Sequence, residues 1–241
     1  MVLLMRIIAL LLALVAFASP AHAQFGGSQN ERRYTVTEFD KVRVDGGFAV
    51  TLTTGRSPFA TAKGSPAALD NLSVSVNGKT LVIRRTSSAW GGYPGEDSGA
   101  VSIEIGTYEV RQAYVNGAGA LDIDAIDGFE FGVSVQGSGA VRIGQLDVDR
   151  FDLMLNGAAS AQIAGSAEDG TIVLRGVSAL RGRDLDVRDL TLGIDGPGYA
   201  ELGTSRAVKL DMVGPGEVRF AGQPACTVTA AGSPTILGCR P

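Results

Sequence analysis

The stretch Val115-Asn-Gly-Ala-Gly-Ala-Leu121 is followed 20 residues later by a near copy, Val135-Gln-Gly-Ser-Gly-Ala-Val141. Weaker copies continue to the end of the chain. Their first glycines are Gly117, Gly137, Gly157, Gly176, Gly196, Gly214 and Gly232, at spacings of 20, 20, 19, 20, 18 and 18 residues. So regular a period marks a stacked-repeat architecture. Within a repeat, Val115, Gly117, Gly119, Leu121 and Ile123 share one parity, as do Val135, Gly137, Gly139, Val141 and Ile143. Period two is the pattern of half-buried strands. A second apolar run, such as Phe129, Phe131, Val133 and Val135, precedes the next turn. Each repeat therefore reads as one coil of two strands and two turns. The predicted fold is an all-β, right-handed parallel β-helix with coils of about 18–20 residues, spaced about 4.8 Å apart. The Gly-x-Gly turns, Gly117/Gly119, Gly137/Gly139, Gly196/Gly198 and Gly214/Gly216, with Gly157 and Gly176 at equivalent positions, are assigned a structural role, because a side chain would crowd the reversal.

Ahead of the repeats, Ser65-Pro66 predicts a short helix to about Leu72. Asn77-Gly78, between Leu72–Val76 and Thr80–Arg84, predicts a hairpin. Residues 1–23 read as a signal peptide: a start made positive by Arg6, an apolar run from Ile7 to Phe17 too short to span a membrane, and an Ala21-His22-Ala23 cleavage site before Gln24. Residues 24–34 read as a flexible lead and 35–241 as a single domain, exported to the periplasm or secreted.

Cleavage removes His22, the one histidine of the chain, and leaves 20 basic against 25 acidic residues, a net charge of −5. A chain without imidazole has no Ser-His or Cys-His machinery and no His-ligated metal. Mild acidity disfavours nucleic acid as a partner. Cys226 and Cys239, the two cysteines, are expected to form a disulfide in an oxidising compartment.

The run Phe39-Asp-Lys-Val-Arg-Val-Asp-Gly-Gly-Phe-Ala-Val-Thr-Leu52 and the Gly-x-Gly turns resemble a bacterial family, the putative auto-transporter adhesin, head GIN domain, over about Thr35 to Gly238. The resemblance implies a β-helical fold similar to pectin lyases but without their catalytic residues, with Phe39–Leu52 as the first rung, and a role in adhesion.

Three acidic clusters, Asp122/Asp124/Asp127, Asp147/Asp149/Asp152 and Asp184/Asp186/Asp189, invite a calcium reading. They lack the turn glycine and bidentate Glu of a calcium loop and stand at different offsets from their turns, so solvated acids at turns are the simpler reading and no metal or cofactor is expected. Arg181 or Arg183 beside Asp184 and Asp186 could serve a polysaccharide lyase, although nothing in the spacing demands it. Trp90 and Tyr93, in a loop from Thr86 to Gly99, are the candidate ligand contacts; the alternative is that Trp90 caps the open end of the core. Five residues after each turn glycine stand Asp122, Arg142, Gln162, Arg181, Glu201 and Arg219, which would place opposite charges side by side at Asp122/Arg142 and on both sides of Glu201. Two residues earlier, Ala120, Ala140, Ser160 and Ala179 form a flat column suited to self-association or to a long polymer. The sequence thus points to a non-enzymatic, extracytoplasmic binding module for a glycan or protein surface. Its rivals are a carbohydrate-active enzyme and a structural protein without a ligand.

Overall fold

The computed structural model describes residues 30–86 and 99–240. They form a β-solenoid of about six turns with coils roughly 20 residues apart. The regular centre consists of three long strands, β9 (Ala120–Gly137), β10 (Ala140–Gly157) and β11 (Ser160–Gly176). Each is one whole coil in parallel register with the next, Ala120 opposite Ala140 and Ala140 opposite Ser160.

The coil has three sides, where the sequence pattern suggested two strands. In β10 the buried residues are Val141 and Ile143, then Leu146 and Val148, then Phe151, Leu153 and Leu155. Parity breaks at Gly144-Gln145 and again at Asp149-Arg150, so the chain bends twice between glycine turns. We call these runs the first, second and third faces. Like residues stack along the axis: Val135, Leu155, Leu174, Ile194 and Met212 form one buried column. The Phe131 and Phe151 rings stack with centroids 6.3 Å apart. Burial of each such side chain contributes about 1.5–3 kcal/mol, so the core spreads its stabilisation evenly over the coils.

At the reversals the glycine carbonyls accept hydrogen bonds from the next coil, Ser138 N–H to Gly117 O at 3.0 Å and Ala158 N–H to Gly137 O at 2.8 Å. Gly137 has φ +106°, and a Cβ there would lie 2.8 Å from Gly117 O. Both the dihedral and the close approach of one turn to the next require glycine at this position.

The two glycines of each pair differ in conformation. Positive φ occurs at Gly117, Gly137, Gly196 and Gly214 but not at Gly119, Gly139, Gly198 or Gly216, which are buried and lead directly into the next strand. The first glycine carries the turn dihedral, and the second, in the same gap between strands, has no room for a side chain against the neighbouring turn and the packed interior. A Cβ on Gly216 would lie 2.8 Å from Ile194 Cγ2 and 3.0 Å from Gly196 O. At Gly198 the fit is looser, 3.1 Å from the same Ile194 methyl. The carbonyls of both continue the ladder, Gly198 O accepting from Glu217 N–H and Gly216 O from Thr235 N–H, each at 2.9 Å.

The later coils divide into shorter strands, β12 (Ala179–Gly182), β13 (Leu185–Asp195), β14 (Tyr199–Leu202), β15 (Ala207–Val213), β16 (Glu217–Phe220), β17 (Ala225–Ala231) and β18 (Thr235–Leu237). The shortening to 18 residues removes the second face. Between β14 and β15 the chain cuts the corner, and Thr204 donates its N–H and hydroxyl to the Asp186 carboxylate at 2.7 and 2.6 Å. The Cys226–Cys239 disulfide, with Cα atoms 5.7 Å apart, holds the C-terminal segment to β17, where Arg240 N–H also donates to Pro224 O.

The N-terminal region does not follow chain order. Its elements are β1 (Asn30–Tyr34), β2 (Lys41–Asp45), β3 (Ala49–Thr53), β4 (Phe59–Gly64), α1 (Pro66–Asp70), β5 (Leu72–Asn77), β6 (Thr80–Arg85), β7 (Ser102–Gly106) and β8 (Gln112–Gly117). The β2–β3 coil lies between β8–β9 on one side and β6–β7 on the other, parallel to both. Phe39–Leu52 is therefore the second rung in space, because the chain adds β6–β7 outside it before returning to β8. β5 and β4 then pair antiparallel with β6 and β7. The expected hairpin and helix are both present; Ser65 caps α1 by accepting from Ala68 N–H. The expected flexible lead is corrected over Asn30–Tyr34, which pairs antiparallel with β4. There Arg32 reaches Leu69 O and the Asp70 carboxylate, which anchors the strand to α1.

Candidate functional site

Outward residues on the third face stack in columns as regular as the core. One column runs Tyr114, Ser134, Met154 and Val173, and beside it runs Gln112, Gly132, Asp152 and Thr171. Together they line a cleft of about 400 Å³. Tyr114 is 37% and Met154 39% exposed, so the strip presents large apolar surface to solvent. Gly132 leaves a gap in the polar column that deepens the cleft. The Tyr114 hydroxyl donates to Gln112 Oε1 at 3.0 Å, which fixes the ring at one end. Asp152 and Thr171 also line a neighbouring cleft of about 340 Å³ that continues past Thr191 to Lys209. The two form a trough along the solenoid axis, with an apolar wall in its first part and hydrogen-bonding groups throughout.

A family model described as putative auto-transporter adhesin, head GIN domain, matches residues 38–224. The chain belongs to that family. The solenoid of this head GIN domain is similar to the solved structure of a putative adhesin from Bacteroides fragilis, with a TM-score of 0.78 and 18% identity over 88% of this chain and 97% of that one. A putative adhesin from Parabacteroides merdae is similar with a TM-score of 0.66 and 17% identity, over 88% and 96% of the two chains. A putative lipid binding protein from Parabacteroides distasonis gives 0.64 and 15%, over 90% and 98%. At these identities the likeness is one of fold. No curated protein sequence matches the chain.

The residues singled out from the head GIN sequence fall in several places. Trp90 and Tyr93 lie outside the described residues, in the connection between β6 and β7. The charged column is in register over its whole length, Asp122–Arg142–Gln162–Arg181–Glu201–Arg219. The pairing differs in part from expectation: Arg142 meets Asp122 at 3.4 Å, but Glu201 meets Arg183 at 3.9 Å and Arg219 pairs with Glu217 on its own strand. The small-residue column is also in register, and Ala49 precedes it at Ala120 while Tyr199 closes it after Ala179.

Asp124, Asp186 and Asp189 each have their own partners. Asp124 accepts from the N–H groups of Thr54 and Ala125, Asp186 from Thr204, and Asp189 from Arg188 and Arg206. The Arg206 hydrogen bond, aided by Arg188, holds the Asp189 carboxyl below the usual aspartate range. Among the described residues no three acids converge as metal ligands. Asp186 accepts from Thr204 at the corner, whereas Asp184 lines a recess together with Arg181 and Arg183. The Tyr114 column was missed at the sequence level. Counting three residues back from Gly117, Gly137, Gly157 and Gly176 gives Tyr114, Ser134, Met154 and Val173, the same arithmetic that produced the charged column.

Proposed function

We propose that this domain is a non-enzymatic, exported, adhesin-like binding module whose third face holds a glycan strand along the solenoid axis. The single observation behind this reading is the exposed Tyr114–Met154 strip beside the polar column of Gln112, Asp152 and Thr171. An aromatic ring offers a flat platform to the apolar face of a sugar, and neighbouring polar side chains match its hydroxyls. The coil repeat sets outward side chains in register at regular intervals along the axis, which suits a polymer. The disulfide fits an oxidising location. Among the described residues no helix is long and apolar enough to cross a membrane. The signal peptide with cleavage before Gln24 belongs to the same proposal.

A second reading, capture of an acyl chain, is favoured by the apolar part of the same cleft and by the lipid-binding description of the Parabacteroides distasonis structure. A panel of neutral glycans and phosphatidylcholine vesicles separates the two. The glycan reading expects saturable binding to a neutral glycan, lost in Tyr114→Ala, and no partition onto vesicles. The same panel, checked for new reducing ends, is expected to show no cleavage. Partition onto vesicles without glycan binding would replace the first reading by the second.

A further inference from the structure

A separate feature lies where the first face bends into the second. Arg142, Gln162 and Arg181 stand side by side on successive coils, and Arg183 leaves β12 at the same corner. With Gly144 and Ala164 they line a depression of about 130 Å³. Its floor stays bare because a Cβ on Gly144 would lie 2.7 Å from Asp124 O.

Three guanidinium groups therefore surround one recess of an acidic protein. Their charge is incompletely neutralised. Arg142 meets Asp122 at 3.4 Å and Arg183 meets Glu201 at 3.9 Å, both longer than the about 2.8 Å of a tight charge-assisted bond. Arg181 makes no ion pair among the described residues. Asp184 lines the recess as well, and the arginines still outnumber the carboxylates there.

We propose that Arg142, Gln162, Arg181 and Arg183 form an oxyanion-binding site that takes the sulfate or carboxylate groups of an acidic polysaccharide. Guanidinium is the side chain best shaped for such groups, with parallel N–H donors that match two oxygens. Arg142 and Arg181 stand two strand spacings apart at the backbone, about 9.6 Å, so the donors are spread along the axis as the successive acidic groups of a polymer are. On the other side of Arg142, Gln162 and Arg181 a trough of about 270 Å³, floored by Ala120, Ala140 and Ser160, leaves room for a chain lying along the axis. The site is on a different face from Tyr114 and does not depend on it.

The test uses the exported chain with fluorescent dextran sulfate, polygalacturonate and neutral dextran, and with inorganic sulfate as competitor. The proposal expects at least one acidic polymer to bind and neutral dextran not to. Arg181→Gln/Arg183→Gln lowers affinity at least ten-fold and flattens its dependence on salt, at an unchanged melting temperature. Arg219→Gln, in the same column but paired with Glu217, leaves affinity unchanged, as does Tyr114→Ala. The proposal is overturned if neither acidic polymer binds, if the double variant binds as the native chain does, if Arg219→Gln costs as much, or if sulfate alone binds as tightly as the polymer. Loss of neutral-glycan binding in Tyr114→Ala concerns the other face and leaves this result readable by itself.

Discussion

The coils from β9 to β11 and the segment from β1 to β7 are built from the same kinds of residue by different rules. In the centre, chain order is spatial order, every pairing is parallel, and each residue meets its equivalent in the next coil. At the N-terminal end the chain lays down β2–β3, crosses outside it with β6–β7 and returns, and it covers the outer strands with antiparallel β5, β4 and β1. A parallel stack leaves unpaired backbone edges at its ends. Antiparallel strands and a capped helix cover such an edge here, at the cost of periodicity. The regular region supplies long uniform columns, and the irregular region supplies termination.

If the centre is a shared, evenly loaded core, truncation there should be severe. Phe151→Ala removes a fully buried ring stacked on Phe131 and is expected to cost about 3–5 kcal/mol, read from chemical denaturation. Gly137→Val combines a φ of +106° with a Cβ aimed at the neighbouring turn. It should cost a few kcal/mol. An unchanged melting temperature would remove the turn assignment. Against these, Gly78→Ala in the β5–β6 hairpin has φ +62° but open space around the added Cβ, so its cost should be about 1 kcal/mol, from the dihedral alone. Equal losses at Gly78 and Gly137 would erase the distinction between stacked and capping turns.

Period, first-glycine turns and column register were legible in the sequence because each coil repeats one solution, so that subtraction of residue numbers places Asp122 beside Arg142. Four things were not. The third face is hidden because the bends at Gly144-Gln145 and Asp149-Arg150 interrupt the alternation after only four or five residues. The two glycines of a pair look equivalent in the sequence, yet Gly196 and Gly214 carry the turn dihedral while Gly198 and Gly216 make room for Ile194. The position of β2–β3 depends on pairing between segments far apart in sequence, which no local pattern records. The proposed binding strip was missed because Tyr114, Ser134, Met154 and Val173 are chemically unlike one another. Their relation lies in register alone.

The smallest expected effect concerns the later, shortened coils. A carboxyl held below its ordinary range contributes stability above the unfolded value of about 3.9, lost as pH falls through the lower folded value. Asp189→Asn should therefore lower the melting temperature slightly at neutral pH, and the native and variant curves should converge on acidification. A gap that persists in strong acid would mean that the Arg206 pairing is not its source.

The most direct test of the account compares glycan binding by Tyr114→Ala/Met154→Ala with binding by Trp90→Ala, each alongside its thermal melt. The lateral variant is expected to lose about 1 kcal/mol or more of binding energy with little change in melting temperature, since both side chains are over a third exposed. Trp90→Ala is expected to bind as the native chain does. Binding that survives in the lateral variant and disappears in Trp90→Ala would contradict the account and move recognition from the regular coils to the connection between β6 and β7.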